Sequence, residues 1–168
     1  MLIVDEAFAD FGGADETLEP ALPASGAVVL RSFGKAYGLA GLRLGFAIAS
    51  PDIARRLRAA LGPWPISGPA IAIGARALAD SDWLGATRAR LSKDKVRLDA
   101  LLGEAGWRIL GGTSLFSLAA REDASAAFKR LLAAGILARP FASAPDRLRF
   151  GIPTGEETWR RLTAALGR

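Results

Sequence analysis

The stretch Arg31–Phe46, RSFGKAYGLAGLRLGF, holds one lysine between glycines, with an arginine eight positions further on. Lysine is scarce in this chain: the 22 basic residues include four lysines, so an amine at position 35 departs from the habit of the rest. A primary amine can lose its proton and attack a carbonyl, which a guanidinium cannot, and desolvation or nearby cations lower its pKa toward that state. Three other residues have matching chemistry. Asp5 closes the apolar run that opens the chain, Ser32 precedes the lysine by three positions, and Arg43 follows it.

Taken singly, each residue has a plain explanation. Lys35 would be a solvated turn residue, Asp5 the cap of a turn, and Glu6 a surface or supporting acid. Ser32 would satisfy neighbouring backbone groups, and Arg43 would be a salt-bridge partner. Their joint placement says more. Hydroxyl and guanidinium together suit a phosphate dianion, a carboxylate can face a protonated ring nitrogen, and the amine can take an aldehyde. Aldehyde, phosphate and pyridinium on one molecule describe pyridoxal 5′-phosphate. SFGK also fits the S-x-x-K of penicillin-recognising serine enzymes, but the K-T-G companion is absent and SDW at Ser81 is a poor S-D-N.

The composition removes most other chemistry. With no cysteine and no histidine there are no disulfides, thiolate or imidazole metal sites, or Ser-His-Asp triads. No metal site is expected. The net charge of +5 invites a nucleic-acid reading, yet the arginines are scattered along helical stretches among acids, without interleaved aromatics. No apolar run approaches the ~20 residues that cross a bilayer, and the first residues lack the basic n-region of a signal peptide. The expectation is a cytoplasmic α/β protein with neither nucleic-acid nor membrane partners.

These residues must be positioned by strands. Residues 1–5 predict an apolar strand ending in acid, followed by a polar connection over 9–26 and a second strand at AVVLRS, 27–32. LRLGFAIAS predicts a third strand that Arg43 helps to open; antiparallel entry would return it to the edge carrying Asp5 and Lys35. Ligands of open α/β sheets gather beyond the carboxyl ends of their strands. Helices are predicted from Pro51, with Ser50 or Asp52 as cap, over 70–81, and over 82–104. Then come strands at WRIL and TSLFSLA with a Gly-Gly turn between them, a helix at DASAAFKRLLAAG, strands at ILARPF and RLRFGIP, and a closing helix from Gly155. The division is a partial large domain over 1–82 and a small α+β domain over 83–168. A chain that opens in a buried-type strand lacks neighbours to cover a parallel sheet, so the expectation is the C-terminal half of a longer protein.

VDEAFADF followed by RSFGKAYGLAGLRLGF resembles the fold-type-I pyridoxal-phosphate enzymes, in the branch of histidinol-phosphate aminotransferases and threonine-phosphate decarboxylases of cobalamin biosynthesis. The resemblance implies a mixed, mostly parallel sheet with helices and a site at a homodimer interface. It implies that Lys35 carries the cofactor aldehyde, Asp5 contacts the pyridinium nitrogen, and Ser32 and Arg43 hold the phosphate. Arg149, in RLRFGIP, matches the arginine that grips the substrate carboxylate. The branch's aminotransferases usually read D-E-A-Y, with the tyrosine reaching the cofactor's ring oxygen. Here the position is Phe8. That departure, with GPWPISGPA, GTSLF and LRFGIP, favours the decarboxylase, a carboxy-lyase acting on a phosphorylated amino acid, over an aminotransferase or a non-catalytic fragment. An upstream half would supply a glycine loop, an asparagine and the partner's tyrosine, so this chain alone is expected to be weakly active or inactive.

Overall fold

The computed structural model describes residues 1–11, 17–24 and 26–167. Residues 12–16 and 25 of the expected polar connection lie outside the described residues. The chain divides into two compact units, Met1–Gly85 and Ala86–Arg168. Among the described residues, no helix is long and apolar enough to cross a membrane.

The first unit is built on a three-stranded sheet. Strands β1 (Leu2–Asp5) and β2 (Ala27–Ser32) pair in parallel, and β3 (Gly45–Ala49) returns antiparallel to β2. The parallel register sets Asp5 beside Leu30, and the antiparallel one sets Ser32 beside Gly45. Side chains alternate between faces. Val4, Val29 and Ile48 therefore share one face, where they pack with Leu22 and Ala27 into a small core. The opposite face carries Ile3, Leu30 and Ala47, next to the apolar side of helix α1 (Pro51–Leu61). Ser50 is the residue before α1 and its carbonyl accepts the Ala54 N–H, but its hydroxyl makes no capping bond. Helix α2 (Gly68–Ala79) is capped by the Ser67 hydroxyl, which accepts the Ala70 N–H at 3.3 Å. Helix α3 (Ser81–Glu104) starts against Asp80, whose carboxylate accepts the Trp83 N–H at 3.0 Å.

In the second unit the strands β4 (Arg108–Thr113), β5 (Phe116–Ala120), β6 (Arg139–Pro140) and β7 (Arg147–Gly151) form an antiparallel sheet in the order β4-β5-β7-β6. Its core gathers Leu98 and Leu102 from α3, Leu131 from α4 (Ala124–Ala133), Leu148 and Phe150 from β7, and Trp159 and Leu162 from α5 (Gly155–Leu166). The alternation Arg147-Leu148-Arg149-Phe150 sends both apolar residues inward.

Three local expectations are corrected. The turn between β4 and β5 falls at Ser114–Leu115, not at Gly111–Gly112, which lie inside β4 beside a register shift. The physical reason is closeness: a Cβ on Gly112 would sit 2.2 Å from the Phe116 carbonyl oxygen, and its φ of +150° is a conformation L-residues rarely adopt. The ILARPF segment contributes only Arg139 and Pro140 to the sheet; a proline at the edge has no N–H for a longer ladder. Arg43 lies two residues ahead of β3, because it caps the short helical turn Ala40–Leu42 in a left-handed conformation with φ of 53°.

Candidate active site

The parallel pairing of β1 with β2 brings their carboxyl ends to one sheet edge, and the antiparallel return of β3 brings its start there too. Asp5, the Ser32–Lys35 turn and Arg43 thus come from three separate stretches to the same edge. Direct register puts Asp5 beside Leu30, and Ser32 follows two residues on, so Asp5 and Ser32 share a sheet face.

The lysine turn is held by its own backbone. The Phe33 N–H donates to the Leu44 carbonyl at 3.2 Å, the Leu39 N–H to the Phe33 carbonyl at 3.0 Å, and the Gly38 N–H to the Lys35 carbonyl at 3.1 Å. Gly38 takes a φ of +65°, which closes this turn without the steric penalty another residue would carry. Phe33 is buried and stacks on Tyr37 at a centroid distance of 4.4 Å. With its neighbours fixed, Lys35 stays exposed, and its Nζ lies 5.6 Å from the centroid of the Phe8 ring.

The polar groups are arranged but not joined to one another. The Asp5 carboxylate accepts the Ala7 N–H at 3.0 Å, and the Arg43 Nη1 donates to the Ala40 carbonyl at 3.2 Å. The Ser32 Oγ accepts the Gly34 N–H at 3.1 Å, leaving its O–H to donate elsewhere. Among the described residues, no ion pair links Asp5, Lys35 and Arg43. An acid, an amine, a hydroxyl and a guanidinium collected at one edge, without neutralising each other, are a donor set that fits a charged ring with an aldehyde and a phosphate.

Arg149 belongs to the second unit. It stands opposite Leu118 of β5 and Arg139 of β6, with its guanidinium carbon 4.9 Å from the Phe116 ring centroid. The sequence names Arg149 by resemblance and says nothing of Arg139, its partner in register. The missing signal was register, because a two-residue strand leaves no periodicity to read. Glu6, which reads from the sequence as a surface or supporting acid, is joined to Arg31 in the structure. Glu6 is only 6% exposed and Arg31 is paired with three acids. An acid following an apolar strand reads as either a surface or a supporting group until its partners on a distant segment are known.

A model of the family described as aminotransferase class I and II matches residues 1–166. The chain belongs to that family. Its sequence is 41% identical to a threonine-phosphate decarboxylase of Pseudomonas aeruginosa, over 98% of this chain and 49% of that protein. It is 35% identical to a histidinol-phosphate aminotransferase of Symbiobacterium thermophilum, over 99% of this chain and 48% of that protein. The fold matches the histidinol-phosphate aminotransferase of Sinorhizobium meliloti in complex with pyridoxal-5′-phosphate. That likeness has a TM-score of 0.82 and 24% identity, over 99% of this chain and 47% of the other. The chain therefore spans about half the length of the relatives it matches. The cofactor of this aminotransferase-like family is pyridoxal 5′-phosphate.

Proposed function

We propose that this chain is the lysine-bearing part of a pyridoxal-phosphate-dependent carboxy-lyase. The enzyme would convert L-threonine O-3-phosphate to aminopropanol phosphate in cobalamin biosynthesis, as a cytoplasmic homodimer. The observation that carries the reading is the pairing of Lys35 with Phe8. The amine lies over the ring of the residue that closes the β1 turn, at the edge where Asp5 ends its strand. That residue has no hydroxyl, unlike the tyrosine usual in the branch's aminotransferases. The higher identity to the decarboxylase relative supports the same choice.

Bound pyridoxal phosphate supplies an electron sink for the pair released when the Cα–carboxylate bond breaks. This chain's residues do the rest of the work assigned to it here. Lys35 offers the primary amine that an aldehyde requires, and afterwards a group able to carry a proton at that edge. Asp5, as a carboxylate, would accept a hydrogen bond from the ring nitrogen's N–H and so favour its protonated form. Ser32 and Arg43 hold the cofactor phosphate by a hydroxyl donor and a guanidinium.

Arg139 and Arg149, side by side on one face of the second unit's sheet, suit a substrate carrying two anionic groups, carboxylate and phosphate.

The test has two arms. Borohydride reduction after incubation with pyridoxal phosphate should fix the cofactor on Lys35 and leave Lys35→Ala unlabelled; label elsewhere sinks the cofactor assignment. With the longer protein, threonine phosphate should release carbon dioxide without a keto acid. A keto product from histidinol phosphate would establish the aminotransferase reading instead.

A further inference from the structure

We propose that Glu6 is a positioning residue: its buried carboxylate, held against Arg31, sets the spacing between Asp5 on β1 and the Ser32–Lys35 turn after β2. The inference deepens the cofactor reading above and rests on it only for the purpose which that spacing serves.

Both oxygens of the carboxylate are engaged. Oε1 accepts the Leu18 N–H at 2.7 Å, and Oε2 accepts the Thr17 hydroxyl at 2.7 Å and faces the Arg31 Nε at 3.4 Å. The backbone of Glu6 is fixed as well. Its N–H donates to the Leu30 carbonyl at 2.9 Å, which continues the β1–β2 ladder, and its carbonyl accepts the Ala9 N–H at 3.0 Å, which closes the turn bearing Phe8.

Successive side chains of an extended segment point to opposite faces. Glu6 is therefore buried where Asp5 is exposed, and anchors the backbone from behind while Asp5 faces the ligand edge. Arg31 is the residue before Ser32. It is held further by Asp10 at 3.0 Å and Glu19 at 3.5 Å. One ion pair thus joins the backbone beside Asp5 to the backbone beside Ser32. A carboxylate this deeply buried is costly unless paired, so the contact persists. A surface acid would set no such distance.

The experiment compares amide exchange in the full chain and its variants, with Ala7 reporting on Asp5, Gly34 on Ser32, and Leu18 on the Glu6 contact itself. In Glu6→Ala all three should exchange about tenfold faster. Glu6→Gln keeps an acceptor for Leu18 but loses the charge that faces Arg31, so it should restore protection at Leu18 while Ala7 and Gly34 stay fast. Should Glu6→Ala not fold, Arg31→Gln cuts the pair from the other side and should accelerate Ala7 and Gly34. Faster exchange at Leu18 with wild-type rates at Ala7 and Gly34 overturns the proposal, since the contact would then hold only the 17–24 segment.

A second readout is visible absorbance on titration with pyridoxal phosphate, with Lys35→Ala as blank. Glu6→Ala and Glu6→Gln should each need about tenfold more cofactor; equal titrations for Glu6→Ala and wild type also overturn it. If the wild-type chain gives no Lys35-dependent absorbance, the cofactor reading fails, and the exchange rates alone decide the role of Glu6.

Discussion

Arg139 and Arg149 stand directly opposite each other across the β6–β7 pair, two like charges in cross-strand register. Such a pair destabilises a sheet by roughly 0.2–1 kcal/mol, and an anionic ligand would relieve it. Arg139→Gln should therefore raise the unfolding free energy slightly, by up to about 1 kcal/mol. The same variant should weaken threonine phosphate about tenfold more than threonine, because a charge-assisted bond is lost. Calorimetry of both ligands, beside denaturant unfolding, checks the two effects together. Equal losses for the two ligands would place Arg139 outside the phosphate contact.

Phe8→Tyr would put a hydroxyl beside the Lys35 amine. Phe8 is half-buried, so the change should cost little stability, within about 0.5 kcal/mol. If the ring lies beside the cofactor as proposed, the new hydroxyl gains a bond worth about 1 kcal/mol, and pyridoxal phosphate should bind severalfold tighter. The titration that follows Lys35-dependent absorbance measures this. An unchanged midpoint would separate the Phe8 position from the cofactor.

The parts of the fold legible in the sequence were those whose pattern is local. Apolar runs ending in acid or in a Ser-x-x-Lys turn announced β1 and β2, and leucines at helical spacing announced α3. The convergence of Asp5, Lys35 and Arg43 followed from topology alone, since parallel and antiparallel pairing decide which strand ends meet. The misplaced Gly-Gly turn shows the limit: glycines mark unusual backbone without saying whether it is a turn or a bulged strand. Glu6 and Arg139 stayed obscure for another reason. Their partners, Leu18 and Arg149, are joined to them by folding and not by spacing.

Leu102 tests the core that carries Arg149. Its side chain is fully buried among residues of α3, α4, α5 and β7. Leu102→Ala should cost about 2–5 kcal/mol by lost burial and a residual cavity. Denaturant unfolding followed by tryptophan fluorescence suits the measurement, because Trp107 and Trp159 belong to the same core. A loss below about 1 kcal/mol would mean that the site collapses freely around the truncated residue.

Acid should weaken the second unit through identified carboxylates. Arg97 grips Glu156 with two hydrogen bonds, Nη1 to Oε1 at 2.5 Å and Nη2 to Oε2 at 2.9 Å. That hydrogen bonding, more than the charges of Arg97 and Arg160, holds the Glu156 carboxyl below its ordinary pKa against a smaller opposing desolvation. Asp123 is held low in the same way, first by the hydrogen bond from Arg130 and then by Arg121. A folded-state pKa below the unfolded one means the unfolded chain takes up protons first as pH falls. The stabilisation is complete above the unfolded value and disappears as pH drops through the folded one. Unfolding free energy should thus stay level from neutral pH to about 5 and decline below it. Glu156→Gln removes one of these groups, so its acid limb should be shallower than that of wild type. Because the pair is exposed to solvent, the difference should shrink in high salt. Parallel acid limbs for the two proteins would show that the Arg97–Glu156 contact does not survive in solution.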